Sequence, residues 1–357
     1  MTYTFMDFCA GIWCWRLWLE KAWFHCVAFS EINHKAEKTY RTFFWEEERN
    51  YWDLMKINPA ELPDFDLLIA GFPCQTFSVI GQRKWMEDPR WQVIFGIEKI
   101  LKQKKIKYFI LENVKWLVNH EWWKTIASIV DLLDKAWYYV AWKVLNTIDY
   151  WLPQSRERVY FLWVRKDLAP FSSKLVFPDK INKLKIDKYL IEKSDSYIFS
   201  ESRTKTMISY LNNKYNQGKY SIEDLIKKEW YIIDTRQSDI RFYDWFSPTL
   251  RTWRHWLVYS KNWVLREISW IESLLLQWIP VELAQKTSHL LDKDLLWQAW
   301  NAMSVDVIYA LWKEFNNFIS SNFPKNDWSN PAMITNSKTV ISEWIRRHRD
   351  IQQMARK

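Results

Sequence analysis

Residues 65–114 read FDLLIAGFPCQTFSVIGQRKWMEDPRWQVIFGIEKILKQKKIKYFILENV. The first seven form a short apolar run closing on Gly71, which reads as a buried strand. Residues 92–104 read as a helix with a basic end, and residues 107–114 as a second buried strand. Strand, helix and strand in that order predict a parallel βαβ unit. The alternation extends outward, with strands expected at 2–9, 27–31, 138–146 and 158–164 and helices at 16–22, 33–44 and 122–136. The expected fold class is α/β with a mostly parallel sheet. The pattern decays after 165. Residues 170–230 are rich in Lys, Ser, Asn and Tyr and read as a separate small domain or insert. Single helices are expected over 266–284 and 298–315, and the tail from 320 is polar and reads as loose or separately docked.

The chain has 357 residues, enough for two domains or one large one. With 48% hydrophobic and 26% charged residues it is neither a disordered chain nor a membrane protein by composition. No apolar run reaches the roughly 18 residues of a spanning helix. The N-terminal MTYTFMDFCAG has no basic region before its apolar residues, so a signal peptide is not expected. The net charge of +9 suits a polyanionic partner. Cys9, Cys14, Cys26 and Cys74 show no CxxC pair and no zinc spacing, so no metal is expected and the thiols read as reduced, in the cytoplasm.

One ratio is abnormal. The chain holds 5 glycines and 27 tryptophans. Average glycine usage, about 7%, predicts roughly 25. The positions agree with an exchange. Trp13, Trp15 and Trp18 fall in the loop and helix start after the first strand, Trp23 and Trp137 at helix ends, and Trp263 after Asn262 as in a hairpin Asn-Gly. These are places where glycine supplies positive φ. A source that reads UGA as glycine would produce the pattern, with TGA expected at Trp13, Trp15, Trp18, Trp91, Trp151 and Trp300. Trp142, inside a strand, reads as genuine. The alternative is an aromatic surface for stacking nucleic acid, but such a surface has no reason to choose turns.

Three constellations carry chemistry. Cys74 lies just past a strand, stiffened by Pro73, at the end of a sheet where sites form. Taken alone, a single cysteine is more often a small buried hydrophobe. The next strand ends at Glu112, where a buried carboxyl is placed to act as an acid toward a ring nitrogen; a helix cap or surface acid is the plain alternative. Gln154, Arg156 and Arg158 alternate along an extended segment and so share one face, suiting anion or carbonyl recognition, or a solvated edge strand.

These elements, in this order, resemble the DNA cytosine-5 methyltransferase family across most of residues 3–315. GFPCQ (71–75) is similar to its nucleophile motif, LENV (111–114) to its glutamate motif and QSRERVYFLWVR (154–165) to its Gln-x-Arg-x-Arg motif. DFCAGIWCWRLWLE (7–20) resembles the first cofactor motif and WQAWNAMSV (297–305) the last. Trp13, Trp15, Trp91, Trp116, Trp151 and Trp300 stand where the family carries glycine.

The resemblance implies a Rossmann-like S-adenosylmethionine-dependent methyltransferase domain at 1–169, a target-recognition domain at 170–285, a returning segment at 286–318 and a tail at 319–357. Double-stranded DNA would lie between the two domains. Cys74 would add to cytosine C6, Glu112 would hold N3, Arg158 the base's O2, and Arg156 the thiol and its loop. Cys9, Gly11, Glu31, Ile32, Asp53, Leu54, Pro73, Val93 and Asn301 would line the cofactor, with Glu31 on the ribose and Asp53 on the adenine amine. Ser78, Gln82, Arg83, Arg90, Gln154 and Arg251 would meet DNA, the first four on a long loop that closes over a flipped base. A bacterial monomer is expected, with or without a separately acting restriction endonuclease. A tRNA cytosine-5 methyltransferase and, if the tryptophans are genuine, a non-catalytic nucleic-acid-binding protein on the same scaffold remain the other readings.

Overall fold

The computed structural model describes residues 3–12, 14–21, 24–44, 47–72, 92–119, 124–168, 177–180, 184–251 and 257–322. They fall into two compact units. Among the described residues, the first comprises those up to 146, 157–179 and 307–322; the second comprises 147–156 and 180–306. Among the described residues no helix is long and apolar enough to cross a membrane.

The first unit runs β1 (Tyr3–Phe8), α1 (Cys14–Lys21), β2 (Phe24–Ser30), α2 (His34–Phe44), β3 (Leu67–Gly71), α3 (Gln92–Lys104), β4 (Tyr108–Val114), α4 (Trp116–Asn119), α5 (Lys124–Lys135) and β5 (Tyr138–Asn146). The chain then visits the second unit for β6 (Gln154–Ser155) and returns in β7 (Glu157–Arg165). The six strands of the first unit form one sheet in the order β2-β1-β3-β4-β7-β5. β1 to β4 are parallel, and β7 runs antiparallel to both β4 and β5.

β3 and β4 are buried on both faces, which is why they read as unbroken apolar runs rather than alternating ones. Leu68, Ala70, Phe109, Leu111 and Trp163 pack there with Ile97 and Leu101 of α3 and Ile129 and Leu133 of α5. Register aligns the carboxyl ends. Phe8 pairs with Ser30 and with Ala70, Gly71 with Glu112, and Val114 with Arg158. The ends of β1 to β4 and the start of β7 therefore form one edge. The order reverses direction at β1, with β2 on one side and β3 on the other, and such a switch point is where open α/β sheets hold ligands.

The second unit contains α6 (Glu201–Leu211), α7 (Ile222–Lys227), β8 (Ile232–Asp234), β9 (Arg241–Tyr243), β10 (Ser247–Pro248), β11 (Leu257–Lys261), β12 (Val264–Glu267), α8 (Trp270–Leu275), α9 (Val281–Gln285) and α10 (Asp292–Asn301). Helix α11 (Val305–Asn322) continues from it into the first unit. β12-β11-β8-β9 form an antiparallel sheet, and β6 pairs with β10. Met207, Leu211, Leu225, Ile233 and Val258 make its core.

Two expected helices change. The helix expected over 266–284 is a strand end and two short helices, because Ser269 caps α8 and Pro280 precedes α9. The helix expected over 298–315 breaks at Ala302, which is extended (φ −62°, ψ 153°). The weakly periodic 170–230 holds α6 and α7, each opened by a serine cap, Ser200 and Ser221. Residues 286–306, expected to return to the sheet domain, group with the second unit, as do 147–156.

Candidate active site

Glycine after β1 and an acid after β2 build the first corner of the sheet edge. Gly11 N donates to Glu31 Oε2 at 2.7 Å and Asn33 N to Glu31 Oε1 at 2.7 Å. Asn50 holds the same residue by its backbone, accepting from Glu31 N at 3.0 Å and donating to Glu31 O at 3.1 Å. Burial pushes the Glu31 carboxyl above the usual carboxylate range, and the N–H groups of Asn33 and Gly11 oppose that shift. Gly11 has φ +62°, and a Cβ built there would meet nothing within 4 Å, so the loop leaves open space beside the carboxylate. Asp53 caps the short helix after it, accepting from Met55 N at 3.0 Å. Ile32 is exposed, Leu54 is buried against Gly96, and Val93 is half-buried at the start of α3.

The donor set suits a nucleoside. The Glu31 oxygens accept backbone N–H groups and keep acceptor capacity for a sugar diol. Exposed Ile32 supplies an apolar face and Asp53 an acceptor. Beneath this corner Asp7 is buried and makes no hydrogen bond among the described residues. Its carboxyl is held well above its usual range by burial and then by Glu31, against the pull of Arg16. Burial likewise pushes the Cys9 thiol up, and Cys9 has φ 54°.

The second corner lies where β3 and β4 end. Asn113 Nδ2 donates to Phe72 O at 3.1 Å, tying β4 to the last described residue before Pro73 and Cys74. Glu112 is buried, and Arg158 Nε stands 3.0 Å from its Oε1. Arg158 Nη1 also donates to Glu157 O at 2.8 Å, which fixes the guanidinium. A carboxyl held in one orientation at a sheet edge is equipped to meet a ring nitrogen, and a guanidinium beside it to meet a carbonyl. Pro73, Cys74, Ser78, Gln82, Arg83 and Arg90 lie outside the described residues.

Gln154 and Arg156 belong to the second unit and Arg158 to the first. Gln154 is buried and donates to Leu276 O at 2.9 Å. The thiol loop that Arg156 is expected to hold lies outside the described residues, and Arg156 donates to Trp300 O at 3.1 Å and Ala302 O at 2.6 Å. A guanidinium there satisfies carbonyls that the end of α10 leaves open. Asn301 is exposed and donates to Trp297 O of its own helix at 2.9 Å, and Arg251 is exposed.

Sequence reasoning missed one loop. Arg236 doubly pairs with Asp234, its Nε 2.8 Å from Oδ1 and its Nη2 2.9 Å from Oδ2, and its Nη1 donates to Thr249 O at 2.7 Å. Tyr210 donates to Gln237 O at 2.9 Å, and Asn213 and Asn216 each donate to Ser238 O at 3.1 Å. The backbone is clamped while Gln237, Ser238, Lys214 and Tyr215 line a shallow cleft of about 700 Å³. The one signal in the sequence is the run Asp234-Thr235-Arg236 after an apolar strand.

A family model described as C-5 cytosine-specific DNA methylase matches residues 3–317. Type II methyltransferase M.HaeII of Haemophilus aegyptius is 38% identical over 213 residues, 58% of this chain and 64% of that protein. Orphan methyltransferase M.Rho11sI of Bacillus phage rho11s is 33% identical over 221 residues, 62% of this chain and 41% of that protein. The matches thus span less than two thirds of these relatives' length. Among solved structures, the S. pombe Dnmt2 methyltransferase superposes with a TM-score of 0.63 at 19% identity, covering 88% of this chain and 98% of that one. A DNA modification methyltransferase encoded within an E. coli prophage gives 0.65 at 18%, covering 89% and 99%. At these identities the superpositions establish the fold, a Rossmann-like α/β sheet domain joined to a smaller second unit.

Proposed function

Given that the chain belongs to the C-5 cytosine-specific DNA methylase family, we propose that it methylates C5 of cytosine within one double-stranded DNA sequence, using S-adenosylmethionine. The observation that carries this reading is the Glu112–Arg158 pair on the same sheet edge as the Gly11–Glu31 corner.

Each residue has a role that the chemistry requires. Cytosine C5 is too poor a nucleophile to take a methyl group unaided. The Cys74 thiolate adds to C6, forming an S–C bond and moving electron density to C5. Glu112 stabilises that density by hydrogen-bonding or protonating N3, and Arg158 holds O2. When bound, S-adenosylmethionine supplies a methyl group on a sulfonium, with a neutral thioether as its leaving group. Glu31 takes the ribose hydroxyls, Asp53 the adenine amine, and Gly11 lets the backbone come close. Once C5 is methylated, a base removes its proton, the C5–C6 double bond re-forms, and the Cys74 thiolate leaves.

The target base is flipped out of the helix to reach this edge. The clamped 235–239 loop reads neighbouring bases, because a rigid backbone with open polar side chains is what groove recognition needs. The protein acts in the cytoplasm, where its DNA is, as a monomer. The test uses protein purified from the cell that makes it, with S-adenosylmethionine and unmethylated DNA. Cytosine methylation at one recurring sequence is expected, and none from Cys74→Ser, which should still bind DNA. Methylated RNA with untouched DNA would overturn the proposal.

A further inference from the structure

Among the described residues, nine that are not glycine adopt positive φ: Cys9, Trp52, Lys105, Trp137, Trp151, Trp230, Asn262, Trp263 and Trp278. Six of the nine are tryptophan, a residue that fills 27 of 357 positions. In the left-handed region a Cβ crowds the neighbouring carbonyl; glycine has none, and asparagine tolerates the region through local hydrogen bonds. An indole brings neither advantage.

At three of the six, local geometry specifies the residue type. Helix α8 ends with Ile279 N donating to Leu274 O at 3.1 Å and Trp278 N to Leu275 O at 2.8 Å. That is a Schellman motif, and Trp278, with φ 68°, occupies its left-handed position, where glycine is the usual residue. Helix α5 ends with Trp137 N donating to Asp134 O at 3.0 Å, and Trp137 has φ 76° with 59% of its surface exposed. Strands β11 and β12 pair up to Lys261 and Val264, leaving a two-residue turn of Asn262 (φ 54°) and Trp263 (φ 62°). Two positive φ values in such a turn define type I′, whose favoured pair is Asn-Gly. Trp263 is 67% exposed, so no burial offsets its strain.

Other tryptophans behave differently. Trp163 lies in β7 without positive φ, fully buried and stacked on Phe109 at 4.5 Å. Trp142 lies in β5, also without positive φ. Of the positions marked from sequence, Trp151 has φ 57°, whereas Trp15, Trp18 and Trp300 sit in helices without positive φ, and Trp13 and Trp91 lie outside the described residues.

We propose that the functional protein carries glycine at positions 52, 137, 151, 230, 263 and 278, because the cell that makes it decodes UGA as glycine. The inference rests on backbone geometry and is independent of the methyl-transfer reading. One consequence lies beside the site. Trp52 precedes Asp53 and its ring stands 4.5 Å from that of His34, a contact that glycine there removes.

The gene itself is the first test: TGA is expected at all six positions and TGG at Trp142 and Trp163. TGG at the six would overturn the proposal. The second test measures melting of two versions made from recoded genes in a standard host. The six-glycine version should melt several degrees higher than the tryptophan version, whereas Trp163→Gly should melt lower. A six-glycine version no more stable than the tryptophan chain would also overturn it.

Discussion

Arg158 Nε and Glu112 Oε1 meet at 3.0 Å across two strands that run in opposite directions. Each is mostly buried, so breaking the pair leaves a charge in a poorly solvated place. Glu112→Gln keeps the shape and a hydrogen bond but loses the proton-transfer capacity. Its kcat is expected to fall by about 100-fold or more, with DNA affinity within a few-fold of the parent. Arg158→Lys keeps a charge but not the planar fork, and should raise KM for DNA while lowering kcat. Near-parental turnover in Glu112→Gln would remove the acid role.

Arg156 is expected to act on stability rather than chemistry. Arg156→Met strips the partners from two carbonyls, at Trp300 and Ala302. The loss should be about 2–4 kcal/mol in denaturant unfolding. Well below its melting point, the variant should turn over at nearly the parental rate. A stable but inactive Arg156→Met would return this residue to the catalytic group.

Asp7 sets a pH dependence whose sign follows from burial. Its folded pKa is raised above the unfolded value, so the folded state holds the proton more tightly. The group's contribution to stability is full below the unfolded pKa, about 4, and is lost as pH rises through the folded one. Asp7→Asn removes that titration. The variant should melt higher than the parent at pH 7–8, and the gap should shrink toward zero near pH 4. Parallel melting curves across that range would contradict the assignment.

On the proposed function Gln237 reads sequence, its backbone fixed by Tyr210 and by the adjacent Arg236–Asp234 pair. Gln237→Ala should relax the preference at one base position, a discrimination of about 1–3 kcal/mol. Methylation of a randomised DNA pool, read by bisulfite sequencing, measures this directly. An unchanged sequence logo would exclude Gln237 from base readout.

Much of the sheet was legible because local composition decides it. Leu67–Gly71 and Tyr108–Val114 are buried on both faces, and an unbroken apolar run says so. Turn chemistry was equally local: Trp137 and Trp263 read as glycine positions from their neighbours, and both have positive φ. What stayed hidden depends on distant partners. Arg156 and Trp300 are 144 residues apart in the chain, and no periodicity announces that a guanidinium will close the end of α10. The break in 266–284 turns on a Schellman turn followed by Pro280, which an apolar count passes over. Helices α6 and α7 were invisible because polar surface helices carry little apolar periodicity and reveal themselves by their caps.

The excursion through residues 147–156 has an evolutionary consequence. Within the second unit, Ser247 N donates to Pro153 O at 2.7 Å, Thr249 Oγ1 to Ser155 O at 2.6 Å and Gln154 Nε2 to Leu276 O at 2.9 Å. Its described residues are therefore encoded as two pieces of gene separated by the codons of 157–179. Recombination that imports 180–306 alone brings foreign carbonyls to a resident Gln154 and Arg156, and such chimaeras are expected to be insoluble unless 147–156 travel with them. If the 235–239 loop reads DNA as proposed, new target preferences should arise by point mutation there more readily than by shuffling of whole modules.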